Sequence, residues 1–226
     1  ATGWTWSARL ADLDNDGHTD AFLTAGMIRN FIDADLVDRQ NVAPSLAARA
    51  AVWKHAAPRP EATLAFRNLG DLRFANVSTE WGLDEVTVAF GCALADLDGD
   101  GDLDLVYGNF NAPPTLVRND TTGGHRCLVR LAGQAPNRDA IGAEVRIKTA
   151  TGEYMRQVFT ERGIASSEPA TLHFGLGRDD RIQTLSVRWP RGGVQVWHDL
   201  PADHLLTVTE AATPATRPPP AQFHSL

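Results

Sequence analysis

The sequence predicts an all-β chain in two parts, and three observations predict it. Its apolar segments are short and bounded by glycine and polar turn residues, which fits strands rather than helices. One stretch occurs twice: Ala8-Arg9-Leu10-Ala11-Asp12-Leu13-Asp14-Asn15-Asp16-Gly17-His18-Thr19-Asp20 matches Cys92-Ala93-Leu94-Ala95-Asp96-Leu97-Asp98-Gly99-Asp100-Gly101-Asp102-Leu103-Asp104, 84 residues further on, with a short apolar segment on either side of each copy. Beyond residue 124, seven alternating runs follow one another at the spacing of a small β-sandwich or barrel.

Each copy is followed by a strand candidate, residues 21–24 and 105–107. Between the copies, residues 27–63 do not match the repeat and are rich in Ala, Leu, Arg and Asp. They read as an insertion, with one helix over 45–55. Strand patterning resumes at 64–67, turns at Asn68-Leu69-Gly70-Asp71 and returns over 73–77, so a hairpin is expected. The glycine-rich stretch 118–124 marks a boundary. The later strands fall at 127–131, 143–148, 154–159, 171–174, 185–189, 194–197 and 205–208, with turns at Thr151-Gly152 and Arg191-Gly192-Gly193. The expected domains are therefore 1–118 and 124–210, followed by a tail, 211–226, whose Pro218-Pro219-Pro220 and lack of periodicity predict a linker or disorder.

With 226 residues, 43% of them hydrophobic, the chain can bury a sizeable core. A net charge of −7 argues against a nucleic-acid partner, which needs clustered Lys and Arg, and against an anionic membrane surface. No apolar run is long enough to span a bilayer. The chain opens at Ala1 without Met and without a basic or apolar leader, which reads as a mature or partial chain.

Nine aspartates lie in the two repeated loops, each of the form D-x-D-x-D-G-x-x-D. Alternate residues on a tightly curved loop aim their carboxylates at one point. Calcium takes six to eight oxygen ligands, so each loop is expected to hold one Ca²⁺. The expected ligands are Asp12, Asp14, Asp16 and Asp20 in the first loop and Asp96, Asp98, Asp100 and Asp104 in the second. His18 and Asp102 at the seventh position would supply a backbone carbonyl, leaving their side chains free to point outward. Gly17 and Gly101 stand where the chain turns sharply. Mg²⁺ prefers a tight octahedron with retained waters, and Zn²⁺ wants His or Cys at the ligand positions. An EF-hand needs a bidentate Glu at position twelve and a following helix; here Leu23 and Tyr107 stand there and strands follow. The bland alternative is an acidic turn without metal, which two matching copies disfavour.

With Ala89-Phe90-Gly91 ahead of the second copy, these strand-flanked loops resemble the FG-GAP (VCBS-type) repeat of integrin-like β-propellers. In residues 124–210, Asn137-Arg138-Asp139-Ala140-Ile141-Gly142-Ala143, His173-Phe174-Gly175-Leu176-Gly177, Val187-Arg188-Trp189-Pro190 and Leu200-Pro201-Ala202-Asp203 resemble the ASPIC/UnbV domain. The combined order resembles cartilage acidic protein-type chains. The resemblance implies partial calcium-binding β-propeller blades followed by a small β-sandwich-like domain, in a protein that is secreted, periplasmic or at the cell surface. A closed propeller has four to eight blades and this chain supplies at most two, so the remaining blades are expected upstream or on another chain. The implied role is a calcium-binding adhesion or interaction module with a protein or carbohydrate partner. The alternatives are a secreted enzyme with its site at the domain interface, or a subunit of a larger assembly.

No catalytic residue is assigned. Ser166 and Ser167 with His173 would make a nucleophile–base pair, but a polar loop before a strand explains them. His198 and His204 read as surface or packed histidines, and Glu161 with Glu168 as an unsupported carboxylate pair. Asn137-Arg138-Asp139 reads as a turn. The six tryptophans fit core packing better than an exposed carbohydrate platform. Asn76 and Asn119 open glycosylation-type triplets. Cys92 and Cys127 read either as a disulfide or as two small buried hydrophobes.

Overall fold

A computed structural model describes residues 3–211 and 221–225. The chain is built from strands with two short helices. In order they are β1 (Thr5–Ala11), β2 (Asp20–Ala25), α1 (Ala34–Asn41), α2 (Leu46–Lys54), β3 (Glu61–Ala62), β4 (Leu64–Asn68), β5 (Phe74–Asn76), β6 (Val86–Thr87), β7 (Ala89–Ala95), β8 (Asp104–Asn109), β9 (Thr115–Val117), β10 (His125–Ala132), β11 (Glu144–Lys148), β12 (Glu153–Gln157), β13 (Leu172–Gly177), β14 (Arg181–Arg188), β15 (Val194–Pro201), β16 (His204–Thr209) and β17 (Gln222–Ser225). The expected hairpin over 64–77 is β4–β5, paired from Phe66 with Asn76 to Asn68 with Phe74. No helix among the described residues is long and apolar enough to cross a membrane.

The N-terminal strands form two similar antiparallel sheets, β1-β2-β4-β5 and β7-β8-β9, plus the small pair β3-β6. The two repeat copies are thus the opening hairpins of two sheets. They share one core, in which Phe22, Leu94, Leu105 and Tyr107 are buried and the Phe22 and Tyr107 rings lie 5.6 Å apart.

The insertion loops out from a closed neck. Met27 and Arg59 exchange two backbone hydrogen bonds of 2.8 Å, so 28–58 leave and rejoin the sheet at one point. The helix expected over 45–55 is α2, with the Ser45 hydroxyl accepting from the Ala48 amide. The unexpected α1 is capped by Asp33, which accepts from Leu36 N. Neither helix buries a residue fully. They lean on each other through Trp53 Nε1 donating to Gln40 and through the Phe31–Trp53 contact.

The C-terminal part stacks two four-stranded sheets, β13-β10-β16-β17 and β12-β11-β14-β15. All pairs are antiparallel except β10 with β16. Inward residues alternate along the strands, as in Val145 and Ile147 of β11, and Ile182, Leu185 and Val187 of β14 also point inward. Facing them across the core are Val129, Phe174 and Leu206. All seven strands expected here form. The tail differs from its expectation in part, because β17 pairs with β16 through backbone bonds that need no apolar alternation. The prolines 218–220 lie outside the described residues.

Cys92 and Cys127 are both free and buried, so the small-hydrophobe reading holds. Trp189 and Trp197 belong to the sandwich core, Trp6, Trp53 and Trp81 are half-buried, and Trp4 is exposed.

Candidate metal centres

Each repeated loop closes a hairpin at the same register: Ala11 pairs with Asp20, and Ala95 with Asp104. Two left-handed residues curl each loop, Asn15 and Gly17 in the first, Gly99 and Gly101 in the second. The curl turns loop amides onto the leading aspartate. Asp12 accepts from Asp16 N at 3.2 Å and from Gly17 N at 2.8 Å; Asp96 accepts from Gly99 N at 2.7 Å and from Gly101 N at 3.2 Å. The closing aspartate bridges outward. Asp20 accepts from Leu13 N and Asn68 N, and Asp104 from Leu97 N and Asn119 N.

The structure brings together Asp12, Asp14 and Asp20, whose carboxylates each place an oxygen within 4.8 Å of the others, and likewise Asp96, Asp98 and Asp104. Asp16 and Asp100 fall outside these trios. Their carboxylates accept the amides of His18 at 2.8 Å and Asp102 at 2.9 Å. His18 points into solvent with its ring against Asp16. Asp102 does not match the expected outward side chain. It is buried, accepts from Asn15 Nδ2 at 2.8 Å and lies 3.0 Å from Arg126 Nε. The reason is tertiary: loop two packs on loop one and on β10, so its seventh side chain faces protein.

The carboxylates are poorly compensated by protein charge. Arg67 reaches Asp14 at 2.6 Å and Asp16 at 3.6 Å. Burial pushes Asp12 up to about 7 and Asp20 up to about 6, with neighbouring aspartates adding to the rise. Burial also raises Asp14 and Asp96. The first loop therefore holds several carboxylates out of water with one guanidinium, Arg67, in ion-pair contact and Arg156 farther off, an arrangement that a hard cation relieves. The donor set is oxygen only, because no Cys or His ring joins either trio. These residues fit Ca²⁺ and not Zn²⁺.

Several residues around the loops were not singled out from the sequence. Asn68 Nδ2 donates to Thr19 O at 3.0 Å, while Asn119 Nδ2 donates to Leu103 O at 3.3 Å and to Leu13 O at 2.8 Å. The same Arg-Asn pair ends β4 as Arg67-Asn68 and directly follows β9 as Arg118-Asn119, a repeat legible in the sequence but weaker than the aspartate pattern.

Both loops are seated on the C-terminal sandwich. Gly177 N donates to Asn15 O at 2.9 Å. A Cβ on Gly175 would lie 1.8 Å from Asp12 Oδ2 and 2.8 Å from Asn15 Cα, so only glycine admits this approach. Arg126 also donates to Asp100 O. Burial holds the pKa of His173 down to about 3, with Arg156 and Arg126 adding to the fall. Ser166 donates to Ile164 O. Among the described residues, no hydrogen bond joins Ser166 or Ser167 to His173.

The seat for the loops is made by β10, β12 and β13. Residues 133–215 match the family model described as ASPIC and UnbV. The ASPIC/UnbV match thus includes β12 and β13, which carry Tyr154, Gly175 and Gly177 to the first loop. The chain is similar to cartilage acidic protein 1 of Xenopus tropicalis, 42% identical over 85 residues, which are 35% of this chain and 13% of that protein. It is also similar to cartilage acidic protein 1 of Mus musculus and Homo sapiens, 32% and 31% identical over 106 residues, 45% of this chain and 16% of each relative. The similarity covers less than a sixth of the length of these curated relatives.

Proposed function

We propose that this chain is a calcium-stapled interaction module of an extracellular or cell-envelope protein. One Ca²⁺ is held by Asp12, Asp14 and Asp20 and a second by Asp96, Asp98 and Asp104. Carbonyls of the loops and water complete each shell. The observation that carries the reading is the pair of inward-facing carboxylate trios at identical hairpin registers. The ions neutralise carboxylates that the protein leaves crowded and fix the loops on which the ASPIC/UnbV-like sandwich sits. Their role is structural, because the loops join strands and lack the helix pair that an EF-hand switch moves.

The two hairpin-headed sheets read as FG-GAP-type blades over 1–118, interrupted by the insertion at 27–63, with the sandwich over 124–210. Their likeness in register supports this, and blades on other parts of the polypeptide or on another chain complete the propeller. The extracellular placement rests on the similarity to cartilage acidic protein 1, and millimolar extracellular calcium keeps even weak sites filled.

Elemental analysis and thermal melting with and without a chelator test the metal reading. Two calcium ions per chain are expected. At calcium about 100-fold above Kd each site adds about 2.7 kcal/mol, so chelation lowers the melting temperature by roughly 5–10 °C per site. Unchanged melting together with no bound calcium rejects it.

A further inference from the structure

The two parts of the chain meet over a cleft of about 320 Å³, at the small end of the range for ligand sites. A second hollow of the same size continues it and shares Leu94, Leu103, Pro169, Thr171 and His173. One end of the cleft is cationic. Arg9 from β1, Arg156 from β12 and Arg162 from the segment before β13 line it together with Glu168. The carboxylate of Glu168 is fully engaged: it pairs with Arg9, lies 3.1 Å from Arg162 Nε and accepts from Leu94 N at 3.0 Å.

Arg156 is different. Its guanidinium donates to Met155 O at 3.0 Å and at 3.4 Å to Thr19 Oγ1, both neutral acceptors. Among the described residues, no carboxylate lies within ion-pair distance of it. It is held in place 5.6 Å above the Phe174 ring. Five N–H donors on a fixed planar fork, with two spent on neutral oxygens, suit a carboxylate. Leu103 and Pro169 supply apolar wall beside the polar Thr171 and His173, while Leu94 and Leu172 belong to the two cores beneath.

We propose that this interdomain cleft binds a small organic carboxylate, its carboxylate forked on Arg156 and its apolar body against Leu103 and Pro169. The site names a ligand chemistry for the interaction module and does not require the calcium reading. Asp12 also lines the cleft and its charge acts on Arg156, but it makes no ion pair with it and its carboxylate accepts its own loop amides. The ligand's contacts come from both parts of the chain, so neither makes the site alone.

The test is calorimetric titration of the whole chain at constant ionic strength, with calcium and with chelator, using benzoate, benzamide and sulfate as probes. Benzoate is expected to bind saturably, one per chain, while benzamide, which has the same body without the charge, does not. Sulfate, which has the charge without the body, binds at least tenfold more weakly than benzoate. Arg156→Gln weakens benzoate about tenfold or more, the loss expected for a charged hydrogen-bond pair. Arg156→Lys, which keeps the charge and loses the fork, falls between, and the exposed Arg146→Gln changes nothing. Failure of benzoate to saturate, equal binding of benzamide or sulfate, or wild-type binding by Arg156→Gln overturns the proposal. Benzoate binding in a chain that takes up no calcium rejects the calcium reading alone.

Discussion

The first and second loops share one pattern and one hairpin register, yet they sit in different surroundings. In the first, Asp12, Asn15 and Asp20 are buried and the sandwich lies directly on them through Gly175 and Gly177. In the second, Leu97, Asp98 and Gly99 are exposed, and the sandwich reaches the loop through Arg126, which meets Asp100 and Asp102. The same residues are therefore asked to hold charge at two levels of desolvation. The difference lies in the leading carboxylates, Asp12 buried and Asp96 half-buried, since the closing Asp20 and Asp104 are both buried.

The largest way to break this comparison is pH. Asp12, raised by burial to about 7 in the folded metal-free chain, holds its proton more tightly folded than unfolded. Between the unfolded value near 4 and pH 7 the folded state binds more protons, so metal-free stability falls as pH rises through that window. Across it the penalty for Asp12 is on the order of 3 kcal/mol. Urea denaturation in chelator should show the chain more stable at pH 5 than at pH 7.5, and Asp12→Asn should abolish most of that difference. Asp98→Asn, in the exposed loop, should leave it in place. In calcium the order reverses, and Asp12→Asn is the damaging change.

Gly175→Ala should come next. Its methyl group would overlap Asp12 and the backbone of Asn15, and overpacking at such a contact costs about 1–3 kcal/mol. Its effect should appear as lost calcium at the first loop alone, one ion per chain instead of two by elemental analysis. Arg126→Ala removes the partner of buried Asp102 and should cost about 2 kcal/mol in thermal denaturation, part of which Asp102→Leu in the same chain restores. The smallest expected effect sharpens the link between loops. Asn119→Ala loses bonds to both Leu13 O and Leu103 O, and should cost about 1 kcal/mol more than Asn68→Ala, whose amide serves the first loop only.

Much of this architecture is legible in the linear pattern. Period-two alternation placed the sandwich strands because each has one face against a core, so burial and sequence report the same thing in Val145 and Ile147. Helix α2 was legible from Ser45 onward. Helix α1 was not, because its eight residues are mostly polar and so lack the run of Ala and Leu that marks α2. Strand β17 was missed for a related reason: it is held by backbone bonds to β16 and carries little apolar alternation.

The candidate site divides in the same way. The spacing of Asp12, Asp14 and Asp20 and of Asp96, Asp98 and Asp104 is a local property, since a curled loop of fixed length and two left-handed residues brings those carboxylates together wherever it is placed. What surrounds the loops is not local. That Asp102 turns inward to Asn15 and Arg126 depends on residues 87 and 24 positions away in sequence. The Arg156 cleft depends on β1 and β12 meeting across the two parts of the chain. By itself the sequence determined an all-β chain with two oxygen-only carboxylate loops, because strand alternation and loop spacing are short-range. Only the tertiary structure decided which leading aspartate is desolvated, which aspartate turns inward to an arginine and where a guanidinium without an ion pair lines the interdomain cleft, because burial and charge pairing are set by whatever the fold packs against each residue.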